Sequence, residues 1–192
     1  MTKKFYVVAL LVVLGITTVG AAYAAFVGKS KILGTSVSVG SADIKLLKDV
    51  AGGISAENLV AEKAGPALAN IYPGWKQDYL VKLRNNSAAQ VSLTSNANYV
   101  TDQDPAELRQ LLYVQPIPWS DNNSNGLVEL DELGTPLERK TIVKWKTEGY
   151  NLGNLASGQT MGLVLRFSAD SIPDTKQGTS GVFDFEFNSI GQ

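Results

Sequence analysis

The 192-residue chain has no cysteine and no histidine. Without them it can build no Cys-His or Ser-His-Asp triad, no zinc site of His and Cys ligands, no haem thiolate and no disulfide. A peptidase helix of the His-Glu-x-x-His type is excluded on the same ground. A basic excess is also missing: Lys plus Arg is 17 against 18 Asp plus Glu, a formal net charge of -1. Phosphate backbones are neutralised by surplus cations, so no nucleic acid partner is expected. Gly52-Gly53 and the stretch from Gly178 to Gly181 read as turns, because no helix with a Lys follows to cradle a nucleotide phosphate. What is present is a 44% hydrophobic, 18% charged composition, which suits one folded domain with a sizeable core. Function is therefore sought in binding and assembly.

The N-terminus has the three parts of an export signal. Lys3 and Lys4 precede an apolar run from Phe5 to about Gly20, and Ala21-Ala22-Tyr23-Ala24-Ala25 follows. The run is shorter than the roughly 20 residues a spanning helix needs. Ala22 and Ala24 satisfy the small-x-small rule, which places a signal-peptide helix at 1–24 and the first mature residue at Ala25. A signal peptidase is the implied partner, and a secreted or cell-surface location follows. Retention of the segment as an uncut membrane anchor is the alternative. The remainder, 25–192, shows no break in composition and reads as a single domain.

Alternation with a period of two dominates that domain. It appears at Val37 and Val39, then Ala42, Ile44 and Leu46, and from Trp75 through Gln77, Tyr79, Val81 and Leu83. It returns at Val91 and Leu93, at Val143 and Trp145, from Met161 to Phe167, and at Phe183, Phe185 and Phe187. Rows of this kind give each strand one buried and one wet face. Separated by Gly, Pro, Asn and Ser turns, they predict an all-β, antiparallel two-sheet sandwich. One or two short helices are expected beside it. Asp104-Pro105-Ala106-Glu107 offers an N-cap acid and Pro at the first helical position, with Leu108, Leu111 and Leu112 behind, ending near Tyr113. Ser55 to Lys63 is the second candidate.

Residues 121–132 fit the twelve-position loop of EF-hand calcium sites. Asp121, Asn123 and Asn125 stand at positions 1, 3 and 5, Gly126 at the sharp turn, Leu127 where a backbone carbonyl ligates, and Glu132 at the bidentate position. Oxygen-only ligation suits Ca2+ at millimolar-range affinity. A solvated Asn/Gly turn fits the same residues, and Pro116 and Pro118 stand where an entering helix would be. Trp75, Trp119 and Trp145 admit a sugar-binding face or, more ordinarily, core positions. Asn85-Asn86-Ser87 and Asn122-Asn123-Ser124 match the glycosylation triplet, which recurs by chance. Asp184 and Glu186 fall on the wet face of their strand.

Several segments in order resemble the TasA/camelysin family of secreted bacterial matrix-fibre proteins. They are the junction Ala24-Ala25-Phe26, the strand from Val39 to Leu46, Tyr72-Pro73-Gly74 followed by Arg84-Asn85-Asn86-Ser87, the turn from Leu152 to Gln159, and Gln177-Gly178 before Phe183 to Phe187. The likeness covers both ends of the chain better than its middle. It implies a SipW-type signal peptidase and a jelly-roll domain that polymerises outside the cell into biofilm-matrix filaments, alone or with accessory matrix proteins. It further implies assembly by strand donation, with segment 25–33 and its apolar Phe26, Val27, Ile32 and Leu33 entering a groove of the next subunit. A monomeric surface module for a sugar or protein ligand is the competing expectation. The metallopeptidase activity ascribed to camelysins conflicts with the absence of histidine.

Overall fold

The computed structural model describes residues 42–191. The expected signal at 1–24, its junction Ala22, Ala24 and Ala25, the segment 25–33 with Phe26, Val27, Ile32 and Leu33, and the pair Val37 and Val39 lie outside the described residues.

Among the described residues nine strands and one α-helix follow one another as β1 (Ile44–Leu47), β2 (Leu59–Val60), β3 (Lys76–Asn85), β4 (Val91–Asn98), β5 (Leu112–Trp119), β6 (Lys140–Thr141), α1 (Ile142–Glu148), β7 (Tyr150–Leu155), β8 (Thr160–Ala169) and β9 (Asp184–Gly191). They form two antiparallel sheets, a larger one in the order β2-β1-β3-β8-β5-β6 and a smaller one in the order β7-β4-β9. The mostly-β architecture with two antiparallel sheets agrees with the alternation in the sequence. Strands β3 and β8 pair without a slip from Lys76↔Ser168 to Arg84↔Thr160, so Val81, Leu83, Leu165 and Phe167 share the inner face. Facing them are Val91, Leu93 and Ala97 of β4. Burying each of these Val, Leu and Phe side chains contributes roughly 1.5–3 kcal/mol.

Between the sheets lies Trp145, fully buried, whose indole N–H donates to Ser95 O at 3.1 Å. Its ring stacks on Phe185 of β9 at 4.7 Å between centroids and 10° between planes. Trp145 comes from a helix, not from the strand that alternation at Val143 and Trp145 suggested. Ile142 and Trp145 are three apart and both buried, a spacing that also fits a helical face. Thr141 Oγ1 accepts from Lys144 N as an N-cap, and Gly149 ends the turn at φ +66°.

The helix expected from Asp104 to Tyr113 is instead a 3-10 turn at Leu108–Gln110 leading into β5. Asp104 does take backbone N–H groups, but those of Leu108 and Arg109, and Glu107 sits left-handed at φ 56°, which breaks helical continuity. Ser55 to Lys63 likewise yields a 3-10 turn at Ala56–Asn58 followed by β2. Pro116 and Pro118 are inside β5, where their carbonyls accept from Leu137 N and Gly134 N. Those contacts lie on the side away from β8, so the missing proline N–H groups cost no rung of that ladder.

Part of the larger sheet's outer face is covered as well. Ile117, Trp119 and Val164 are buried there beside Leu80 of β3 and against Val50, Val128 and Leu133, which come from the loops after β1 and after β5. Trp75, Trp119 and Trp145 are each at most 7% exposed, so all three are core residues and the sugar-face reading of them does not hold.

Candidate functional site

Two features stand apart from the core. The first is the loop 121–132, held on the outer face of the larger sheet. Asp121 Oδ1 accepts from Asn125 N and its Oδ2 from Gly126 N, each at 3.0 Å, while Asn125 Oδ1 accepts from Leu127 N. The loop's end returns to its start: Glu132 Oε1 accepts from Asn122 N at 2.9 Å and Oε2 from the Trp119 indole N–H at 3.1 Å. Gly126 has φ +71°, and a Cβ there would stand 2.5 Å from Ala51 Cβ, so glycine is required both by backbone and by packing.

A cation that the sequence spacing did not reveal also serves this loop. Lys82 of β3 donates to Asp121 Oδ2 at 2.5 Å and to Val50 O at 2.6 Å, and its ammonium lies 4.9 Å from the Trp119 ring centre. Burial alone would raise the Asp121 carboxyl, yet the Lys82 hydrogen bond and charge and the two backbone N–H donors hold it below the usual carboxylate value. Of the expected ligand positions, Asp121 and Asn125 turn toward the loop's own backbone. Asn123 Oδ1 shares the Asn125 N–H, while its amide donates to Glu129. Glu132 is buried with both oxygens engaged, and Leu127 is 63% exposed. Among the described residues no group of three or more His, Cys, Asp or Glu converges on a metal-sized point.

The second feature is an open groove between the sheets. Strand β9 pairs with β4 along its whole length, from Asn98↔Asp184 to Val91↔Gly191. It has no strand neighbour on its other edge among the described residues. Beside that edge is a cavity of about 620 Å³ walled by Ile44, Leu46 and Tyr79 on one side and by Phe183, Phe185 and Phe187 on the other. A second cavity of about 450 Å³ shares Phe183 and Phe185 and extends the apolar lining to Leu68 and Ile71. Each Phe of the row is half-buried, whereas Asp184, Glu186 and Asn188 are exposed. The alternation in the sequence had anticipated this sidedness. It gave no sign of where β9 sits in its sheet.

Three of the segments that carry the family resemblance, the start of β1, Arg84 to Ser87 and the turn from Leu152 to Gln159, meet at one end of the sandwich. Asn85, fully buried, donates from Nδ2 to Ala89 O and Leu155 O and accepts at Oδ1 from Ser87 N. Asn85 N donates to Gln159 O, Gly158 N to Asn85 O, and Asn86 N to Asp43 O. These residues tie the end of β3 to the β7–β8 turn and the start of β1, and thereby join the two sheets. Their role here is structural. No helix among the described residues is long and apolar enough to cross a membrane. No protein-family model matches this chain, and no curated protein is significantly similar to it.

Proposed function

We propose that the protein is a secreted structural subunit that polymerises by strand donation into extracellular, biofilm-matrix filaments, as its resemblance to the TasA/camelysin family implies. On this reading residues 1–24 are the export signal, the domain is a jelly roll, and the partners are further copies of the chain and accessory matrix proteins. The single observation that supports it is the edge of β9, which has no strand neighbour among the described residues, beside an apolar groove. An unpaired edge offers backbone donors and acceptors in a row, and an incoming strand both satisfies them and covers the Phe side chains. Each backbone hydrogen bond contributes about 0.5–1.5 kcal/mol net, and burial of Phe26 and Ile32, which fall on one face of an extended strand, at roughly 1.5–3 kcal/mol each adds a comparable amount. A head-to-tail contact of this type does not close on itself and grows into a fibre. The role is structural, not catalytic.

The loop 121–132 supports a second element of this reading, a weak calcium site on Asp121, Asn123, Asn125, Leu127 and Glu132 that stiffens the subunit. Deleting residues 25–33 is expected to leave a folded monomer and no filaments in electron micrographs of the secreted product. Filaments formed by that variant overturn the donation model. A wild-type chain that stays monomeric in size-exclusion favours a surface module binding a sugar or another protein.

A further inference from the structure

The smaller sheet is nearly free of charge. Strand β4 (Val91–Asn98) presents Ser92, Thr94, Asn96 and Asn98 outward, and β7 (Tyr150–Leu155) contains no ionisable group except the buried Tyr150. The sheet's two formal charges are both acidic, Asp184 and Glu186, both exposed, and both on the strand whose outer edge has no described neighbour. They stand two residues apart and therefore on one face. The segment 25–33 has the opposite character. It carries Lys29 and Lys31, also two apart, and no acid. In an extended strand those lysines share a face with Val27 and Leu33, while Phe26, Gly28, Ser30 and Ile32 form the other. Other charges near the groove are committed: Lys63 donates to Leu47 O and lies 5.6 Å from the Tyr79 ring centre, leaving Glu62 as a further acid on the rim.

We propose that segment 25–33 of a second copy docks along β9 with Lys29 and Lys31 facing Asp184 and Glu186, so that opposite charges on the outer face set its register and its polar side. This rests on the assembly reading above and adds what selects the donor. Opposite charges directly across an antiparallel pair attract, and a one-residue slip turns both lysines toward the Phe-lined face. Charge pairs at a solvent-exposed rim chiefly accelerate association and disfavour wrong alignments. The pairing is consequently salt-sensitive, since the screening length falls from about 8 Å at physiological ionic strength to about 3 Å at 1 M.

The test uses the full-length chain, expressed as equal portions of ¹⁴N- and ¹⁵N-labelled protein, exported, mixed and allowed to assemble. A zero-length carbodiimide then joins amines to carboxylates in contact. Mass spectrometry is expected to find Lys29 or Lys31 linked to Asp184 or Glu186 in peptides of mixed label. Reversal of either side alone, Asp184→Lys with Glu186→Lys or Lys29→Glu with Lys31→Glu, is expected to slow assembly about tenfold or more, and combining the two to restore it. Links found only within one label place the segment in its own chain and overturn the proposal. Filaments with no such link, or with reversal variants as fast as wild type, overturn the charge register while leaving strand donation standing. Absence of filaments from the unaltered protein overturns both.

Discussion

The Lys82 ammonium and the Asp121 carboxylate meet at 2.5 Å beneath the loop, with side-chain exposures of 13% and 2%. Strand β3 thus supplies the counter-charge for a loop 39 residues away in sequence. Because folding lowers the Asp121 pKa, the pair's contribution is complete above the unfolded carboxylate value. It is lost as pH falls through the lower, folded value. Asp121→Asn is expected to reduce stability at neutral pH by about 1–3 kcal/mol and to flatten the acid limb of the stability profile. Chemical denaturation at a series of pH values measures both, and an unchanged acid limb contradicts the pairing.

Calcium is expected to report through Trp119. Its indole donates to Glu132 Oε2, so a cation drawing on Glu132 alters that ring's surroundings. Calcium at about ten times a dissociation constant of order 10⁻³ M is expected to add about 1.4 kcal/mol of stability and to change tryptophan emission. Glu132→Gln retains an acceptor for the indole and is expected to abolish both responses. No change in emission or melting at millimolar calcium in the wild type ends the calcium reading.

Gly126→Ala is expected to destabilise by about 2–4 kcal/mol. Part of this is the left-handed backbone and part the collision with Ala51, whose Cβ and Cα lie 2.5 and 2.7 Å from the added methyl. Adding Ala51→Gly removes one of the clashing atoms and is expected to recover a fraction of the loss in thermal melts. A neutral Gly126→Ala would mean that the loop is not docked where the structure places it.

Trp145 links α1 to both sheets, and two substitutions separate its contributions. Trp145→Ala is expected to cost about 3–5 kcal/mol through the cavity it leaves. Trp145→Phe keeps the apolar bulk but strands Ser95 O without its indole donor, at about 1–3 kcal/mol. Since Phe185 stacks on this ring, hydrogen exchange in Trp145→Ala is expected to show β9 losing protection before β3 does. Uniform loss across both strands contradicts the assignment.

Period-two patterning sufficed to place β3, β4, β8 and β9, because each buries one face and wets the other over enough residues to be counted. It misled at Val143 and Trp145, where five or six residues fit either period and the helix was decided by Thr141 at the cap and by the depth available to Trp145. At Asp104 the capping chemistry was legible but the following backbone was not, since Glu107 takes a left-handed turn that composition does not announce. The loop's ligand-like spacing could be read directly. Its Lys82 partner could not, because that contact exists only once β3 runs beneath the loop. That β9 has no strand neighbour on one side among the described residues was equally hidden: an edge is a property of strand order, and strand order is set by tertiary packing.

Covering the larger sheet on both faces has a kinetic consequence. Strand β8, with Leu163, Val164, Leu165 and Phe167 all buried, is dry on either side only after β3, β5 and the two outer loops have arrived. Its partners all precede it by long stretches of chain, so the last third of the polypeptide completes a sheet begun near the start of the domain. Non-local closures of this sort are slow, and until they occur the apolar run Met161 to Leu165 is offered to any neighbour. Before that closure this protein is most exposed to unwanted self-association, and a holdase that grips Met161 to Leu165 would protect it best.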